Sequence, residues 1–176
     1  MESRTKFLGH AIHPMLIVYP LGLLGTFLAF DALHLVTHRE MWALIADWLI
    51  ADWLIAAGVV GGVVAAPFGL VDRLAIPTGT RAKAVGAWHG AGNALALLIF
   101  AIDWWLLRHG DLTAPAAPPI VLSFLGVGLS AVTGWLGGEL VDRLGVVVDN
   151  GAHLNTPSSL AAGSAPSRPP VRRGRA

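Results

Sequence analysis

The stretch 14–36 reads PMLIVYPLGLLGTFLAFDALHLV and contains one carboxylate, Asp31, and one imidazole, His34. A helix crosses the hydrocarbon core of a bilayer with about 20 predominantly apolar residues, so this stretch is predicted to span a membrane. Pro14 suits the first turn, where a missing N–H costs nothing. Pro20 is expected to bend the helix. The run is longer than the roughly 7–15 residues of a signal-peptide core, and no A-x-A-like cleavage site follows it, so it is expected to be retained.

Three further stretches have the same character: about 42–70, 85–107 and 119–140. The links between them are short, which makes successive helices antiparallel neighbours. The predicted fold is all-α, an integral membrane four-helix bundle with antiparallel up-down topology. Residues 1–12 are read as an N-terminal cytoplasmic segment and 13–145 as the transmembrane domain. From about Asn150 the chain is polar, Pro/Ser/Gly-rich and finally basic, so 146–176 is expected to be a mostly disordered cytoplasmic tail.

Composition agrees. Apolar residues make up 55% of the chain and charged residues only 13%, against about 25% charged in a soluble domain. A chain of 176 residues has too little interior to hold that apolar content. Cysteine is absent, which excludes disulfides, thiolate zinc sites, Cys-ligated iron–sulfur clusters and covalently attached haem. A metal or haem would need His, Met or carboxylate ligands.

The second stretch is long. At 1.5 Å per residue it would reach ~43 Å, against a core of ~30 Å. It contains a tandem repeat, Ala46-Asp47-Trp48-Leu49-Ile50 followed by Ala51-Asp52-Trp53-Leu54-Ile55. Five residues turn a helix by roughly 500°, so the copies face different ways. One copy is expected to project into water, unless the duplication is an error in the recorded sequence.

Charge sets the orientation. The N-terminal side carries Arg4, Lys6, Arg73, Arg81, Lys83 and Arg143 near the spans, with Arg168, Arg172, Arg173 and Arg175 in the tail; the other side carries Arg39 and Arg108. The positive-inside rule then predicts a multi-pass protein of the cytoplasmic (inner) membrane with both termini in the cytoplasm. Trp42, Trp104, Trp105 and Trp135 suit the interfacial belts.

Small residues recur at four-residue spacing: Gly58, Gly62, Ala65 and Gly69; Gly86, Gly90 and Ala94; Ser130, Gly134 and Gly138. Such stripes let helices approach closely in lipid. They are read as intrachain packing faces, with homodimerisation as the other use. Polar residues also form stripes: His13, Pro20, Asp31, His34 and His38 on the first helix, and His89, Asn93 and Asp103 on the third. Ionisable groups within a span are costly and face the interior.

The topology gathers His10, His13, Asp72, His89, Glu139, Asp142 and His153 at the cytoplasmic end, and three readings are open there. The groups hydrogen-bond one another and fasten the bundle. Alternatively, His13 and His89 ligate a b-type haem, with Asn93 and Glu139 supporting them. Alternatively, His10, His13, Asp72 and His89 hold a divalent metal or relay protons. At the opposite end His34, His38 and His109, with Asp31, Glu40, Asp47, Asp52, Asp103 and Asp111, are expected to form a solvated acidic rim. No phosphate-binding glycine loop, nucleophile elbow or HExxH sequence occurs, so the sequence carries no enzyme signature, and nothing points to nucleic acid.

Five strings together carry a family resemblance: His13-Pro14-Met15-Leu16 with Tyr19-Pro20-Leu21-Gly22-Leu23; Ala75-Ile76-Pro77-Thr78-Gly79-Thr80-Arg81-Ala82-Lys83; Trp88-His89-Gly90-Ala91-Gly92-Asn93; Thr133-Gly134-Trp135-Leu136-Gly137-Gly138-Glu139-Leu140; and Gly151-Ala152-His153-Leu154-Asn155. Over about Gly9 to Leu160 the chain resembles the bacterial membrane family called domain of unknown function 2231. The resemblance implies a four-span membrane protein. Relatives are sometimes joined to Rieske or cytochrome c domains, which implies a redox role, facing haem or quinone and a redox protein partner. Many relatives carry a second His where Val18 stands here, and the duplication at Ala46–Ile55 departs from the pattern.

Overall fold

The computed structural model describes residues 1–39, 41–42, 51–109 and 117–161. The chain opens with a short hairpin, β1 (Lys6–Phe7) and β2 (His10–Ala11), paired antiparallel. Leu8 and Gly9 have φ of 50° and 86°, and two positive φ values at a two-residue loop match the twist of the flanking strands.

Helix α1 (Ile12–Leu16) and helix α2 (Val18–Thr37) follow. Pro20 has no N–H to offer the Leu16 carbonyl, and the helix is interrupted at Ile17. Ile17 keeps helical dihedrals, and its N–H reaches His13 O at 3.1 Å, so the two pieces run as one span, Ile12–Thr37. His38, at φ 51°, closes the helix in the left-handed conformation.

Helix α3 is Ala51–Ala75 and helix α4 is Arg81–His109. Helix α5 (Ala117–Gly138) runs on into a π-turn, Glu139–Arg143. Helix α4 starts at Arg81 rather than near 85 because Thr80 caps it: its hydroxyl accepts from Lys83 N at 3.2 Å. Helix α3 continues through Asp72 and Arg73 to Ala75, past the expected end at 70. The first copy of the tandem repeat lies outside the described residues.

Four helices are long and apolar enough to cross a membrane: Ile12–Thr37, Trp53–Ala75, Arg81–Leu107 and Pro118–Arg143. Only 17–22% of each apolar window is buried within the protein. Leu21, Val60, Leu98 and Val121 are among the large apolar side chains left exposed. Surface of this kind calls for lipid around the bundle.

Helix α4 packs most extensively on α5, α2 on α3, and α3 on α4. Leu24, Phe27, Ile55 and Phe100 form the buried core. Glycines admit these side chains: a Cβ on Gly126 would lie 2.7 Å from Phe100 Cζ, and one on Gly58 2.7 Å from Leu24 Cγ. The other stripes differ: on α4 a Cβ on Gly86 would meet Ile76 but one on Gly90 nothing within 4 Å, and on α5 one on Gly134 or Gly138 would meet nothing.

At the end of the bundle that holds the N-terminus, Ile76, Leu140 and Val146 make a second cluster with Met1 and Val85. Residues 146–161 carry turns and bonds to the N-terminal segment, whereas 162–176 lie outside the described residues.

The Phe100–Gly126 contact gives a stability test. Gly126→Ala should cost about 1–3 kcal/mol through overpacking and lower the melting temperature in detergent. Gly128→Ala, with open space at its Cβ, should leave melting unchanged or raise it slightly.

Candidate functional site

His13 sits in α1 and turns its ring onto α3. Its Nδ1 lies 3.0 Å from the Ala65 carbonyl oxygen. A carbonyl only accepts, so Nδ1 carries the hydrogen. The ring can come this close because Gly69, one turn beyond Ala65, has no side chain: a Cβ there would stand 2.8 Å from His13 Cε1.

His89 in α4 repeats the arrangement on α5. Its Nδ1 donates to the Thr133 carbonyl at 2.8 Å, and a Cβ on Gly137, one turn beyond Thr133, would stand 3.1 Å from His89 Cε1. The two imidazoles meet edge-on, with centroids 6.3 Å apart and planes at 86°.

Asn93, one turn beyond His89, locks the second half. Its Nδ2 donates to the His89 carbonyl at 2.9 Å, and its Oδ1 accepts from the buried Thr133 hydroxyl at 2.9 Å. The same Nδ2 lies 3.4 Å from His89 Nδ1 and 3.3 Å from Nε2.

In the neutral rings both Nδ1 hydrogens are committed to helix carbonyls, so each lone pair is on Nε2, and that of His89 faces the Asn93 amide nitrogen at 3.3 Å. Metal-ligating histidines are held in this way, with the outer N–H on a carbonyl or carboxylate. The donor set therefore fits an iron or other metal that takes two imidazoles. Among the described residues, no group of three or more His, Asp or Glu is placed to hold a metal ion.

His13, His89 and Asn93 come together as the sequence suggests; the other expected site residues are engaged elsewhere. His10 faces the Ser159 hydroxyl at 3.3 Å. Glu139 pairs with Arg81 at 2.6 Å. Asp72 is buried beneath the N-terminal segment, accepting from Ser3 Oγ at 2.9 and 2.8 Å and from Arg4 N at 2.7 Å. At the opposite end, Asp31 and Asp103 are buried, 8% and 0% exposed, rather than part of a solvated rim. Each stands one turn beyond a core phenylalanine, Phe27 and Phe100, and so shares its inward face.

Sequence reasoning missed Ala65, Gly69, Thr133 and Gly137. The signal that leads to them is an internal repeat. The string Leu-Val-Asp-Arg-Leu occurs at Leu70–Leu74 and again at Leu140–Leu144. Counterparts on the first helix of each pair lie 76 positions apart, as in His13 and His89 or Leu24 and Phe100. Those on the second lie 68 apart, as in Gly58 and Gly126, Ala65 and Thr133, or Gly69 and Gly137. The spacing widens to 70 at the repeated string, where the second copy passes through the π-turn. Two related helical hairpins thus face one another, and each contributes one imidazole.

The fold and this intramembrane pair define a polytopic helical membrane protein with a polar centre near one end. Residues 9–150 match the sequence profile of the family described as a predicted membrane protein, domain of unknown function 2231. The chain belongs to that family. Neither the curated proteins nor the solved structures include a match to it.

The end of the bundle nearest the pair is closed by a clasp. The Met1 ammonium donates to the Gly145 carbonyl. Lys6 Nζ bridges Glu2 at 2.9 Å and Asp149 at 3.2 Å. The hydrogen bond from Lys6, then that from the Asn150 amide, holds Glu2 below its ordinary 4.5. The Gly151 amide, then Lys6, holds Asp149 below 3.8. The bond to Glu2 raises Lys6 above 10.5.

Acids with depressed values stabilise above their unfolded values and lose that contribution as pH falls through the folded ones. The raised lysine contributes below its unfolded value and loses that contribution as pH rises through the folded one. The clasp should therefore be closed at neutral pH and release in acid below the Asp149 value. Spin labels at the exposed Phe7 and Leu154 should show a narrow distance distribution at pH 7 that broadens in acid, and Lys6→Gln should broaden it already at pH 7.

Proposed function

We propose that the chain is an inner-membrane redox module in which His13 and His89 would hold a b-type haem between the two helical hairpins. The observation that carries this reading is the matched commitment of both Nδ1 atoms to carbonyls of the neighbouring helices, Ala65 O at 3.0 Å and Thr133 O at 2.8 Å. It puts the lone pair of each of two adjacent imidazoles on Nε2; on His89 a ligand would take the place of the Asn93 amide contact at 3.3 Å. The haem would supply one-electron exchange with a partner protein. The residues of the chain orient the two rings, fix their tautomers and, through Asn93, hold α4 against α5 beside them.

The same bonds favour a second reading, in which the pair only fastens the bundle. They join α1 to α3 and α4 to α5, and polar contacts of this kind contribute about 0.6 kcal/mol each in membrane helices.

We also propose an antiparallel up-down course with both ends in the cytoplasm. Two contacts support the course for α4 and α5: His89, early in α4, reaches Thr133, late in α5, while Asp103, late in α4, is bonded to Ser123, early in α5. The excess of arginine and lysine on the terminal side supports the orientation.

Protein purified after expression with ample haem should show Soret and α bands that sharpen on dithionite reduction. Both bands should be lost in His13→Ala and in His89→Ala. A colourless preparation would sink the haem reading and leave the fastening one. Reporter tags at the two ends should read out in the same compartment; opposite compartments would overturn the proposed topology.

A further inference from the structure

Away from the histidine pair, toward the other end of the bundle, the third span buries a carboxyl completely. Asp103 is 0% exposed and lies within the membrane-spanning part of α4, which runs to Leu107. Ser123 on α5, also 0% exposed, is 2.7 Å from Asp103 Oδ2. Asp103 Oδ1 is buried and receives no hydrogen bond. Asp31 on α2 is also buried, 8% exposed.

Among the described side chains, no ion pair to Asp103 occurs; Lys6 pairs with Glu2 and Asp149, and Arg81 with Glu139. An ionised carboxylate with one buried oxygen unbonded is far more costly than a neutral acid in the same place. The carbonyl oxygen of a neutral acid is the less costly group to leave unbonded.

The serine points the same way. Ser123 Oγ lies 2.7 Å from Asp103 Oδ2 and 3.0 Å from the Pro119 carbonyl, yet a hydroxyl has one hydrogen. If Asp103 is ionised, both neighbours are acceptors and compete for it. If Oδ2 carries a proton, Asp103 donates to Ser123 and Ser123 donates to Pro119, and each hydrogen has its own acceptor.

We propose that Asp103 is a proton-binding site within the membrane, loaded in the resting protein, with Ser123 as the group that positions its proton. The ligand is a proton, and the proposal does not depend on what His13 and His89 hold.

Infrared spectroscopy of the whole protein in lipid at neutral pH tests it. The wild type should show the carbonyl stretch of a protonated carboxylic acid, shifted downward in D2O. That band should be missing from Asp103→Asn and displaced in frequency in Ser123→Ala, which keeps the acid and removes its partner. Helical circular dichroism confirms that each variant is folded, and Ser123→Ala carries the test if Asp103→Asn does not fold. Absence of the band from the wild type, its persistence unchanged in folded Asp103→Asn, or an unmoved band in Ser123→Ala would overturn the proposal.

Discussion

Helices in lipid gain nothing from burying apolar side chains against one another, because the acyl chains are equally apolar. They associate where backbones approach closely and where polar groups find partners across the gap. In this protein the two requirements meet in one device used twice. A glycine opens a helix surface, an imidazole from the neighbouring helix lies on it, and its Nδ1 hydrogen goes to the carbonyl one turn back. Ala65 with Gly69 and Thr133 with Gly137 are the two instances. The missing Cβ makes room for the ring, at 2.8 Å from where it would stand on Gly69 and 3.1 Å on Gly137, to reach a carbonyl already used within its own helix. The second lone pair of that oxygen makes the bond available.

Because the device occurs once in each hairpin, the imidazoles meet where the hairpins face each other. A site at such a boundary takes one ligand group from each half. The hairpins are not copies in every respect. Asn93 and Thr133 brace the second imidazole, while Asp72 in the first hairpin serves the N-terminal segment and Asp142, its counterpart in the repeated string, is exposed. The π-turn lies where the spacing between the repeats widens, and wider turns of this kind absorb additional residues without ending a helix.

Most of the fold was legible because the spans announce themselves by length and hydropathy, signals that need no partner to be read. Helix ends are less legible from hydropathy alone: Thr80 moves the start of α4 to Arg81, and α3 runs past Leu70 with Asp72 covered by the N-terminal segment. The site was half legible. His13, His89 and Asn93 are unusual residues in apolar surroundings and draw notice. Their acceptors are backbone atoms, and no residue type marks a carbonyl. Gly69 and Gly137 were visible only as members of packing stripes or family strings. Reading the second occurrence of Leu-Val-Asp-Arg-Leu as a repeat would have aligned them. Asp31 and Asp103 carry two expectations from the sequence, inward polar stripes and a solvated rim; the stripe holds for both, since Phe27 and Phe100 one turn before them point the same face inward.

The two ends of the bundle answer the same burial problem with different chemistry. An imidazole can be neutral and still both donate and accept, so His13 and His89 satisfy a carbonyl each and retain a lone pair. A carboxylate can only accept, and among the described residues Asp103 is offered a single hydroxyl, that of Ser123. Their own N–H groups are consumed by the helices themselves, as they must be where no water is at hand. An acceptor-only group in that setting runs short of donors unless it acquires a hydrogen of its own. The scarcity of donors, more than the presence of an acid, distinguishes the Asp103 end from the Asp72 end. There the irregular N-terminal segment brings two donors to the buried acid, the Arg4 backbone N–H and the Ser3 hydroxyl.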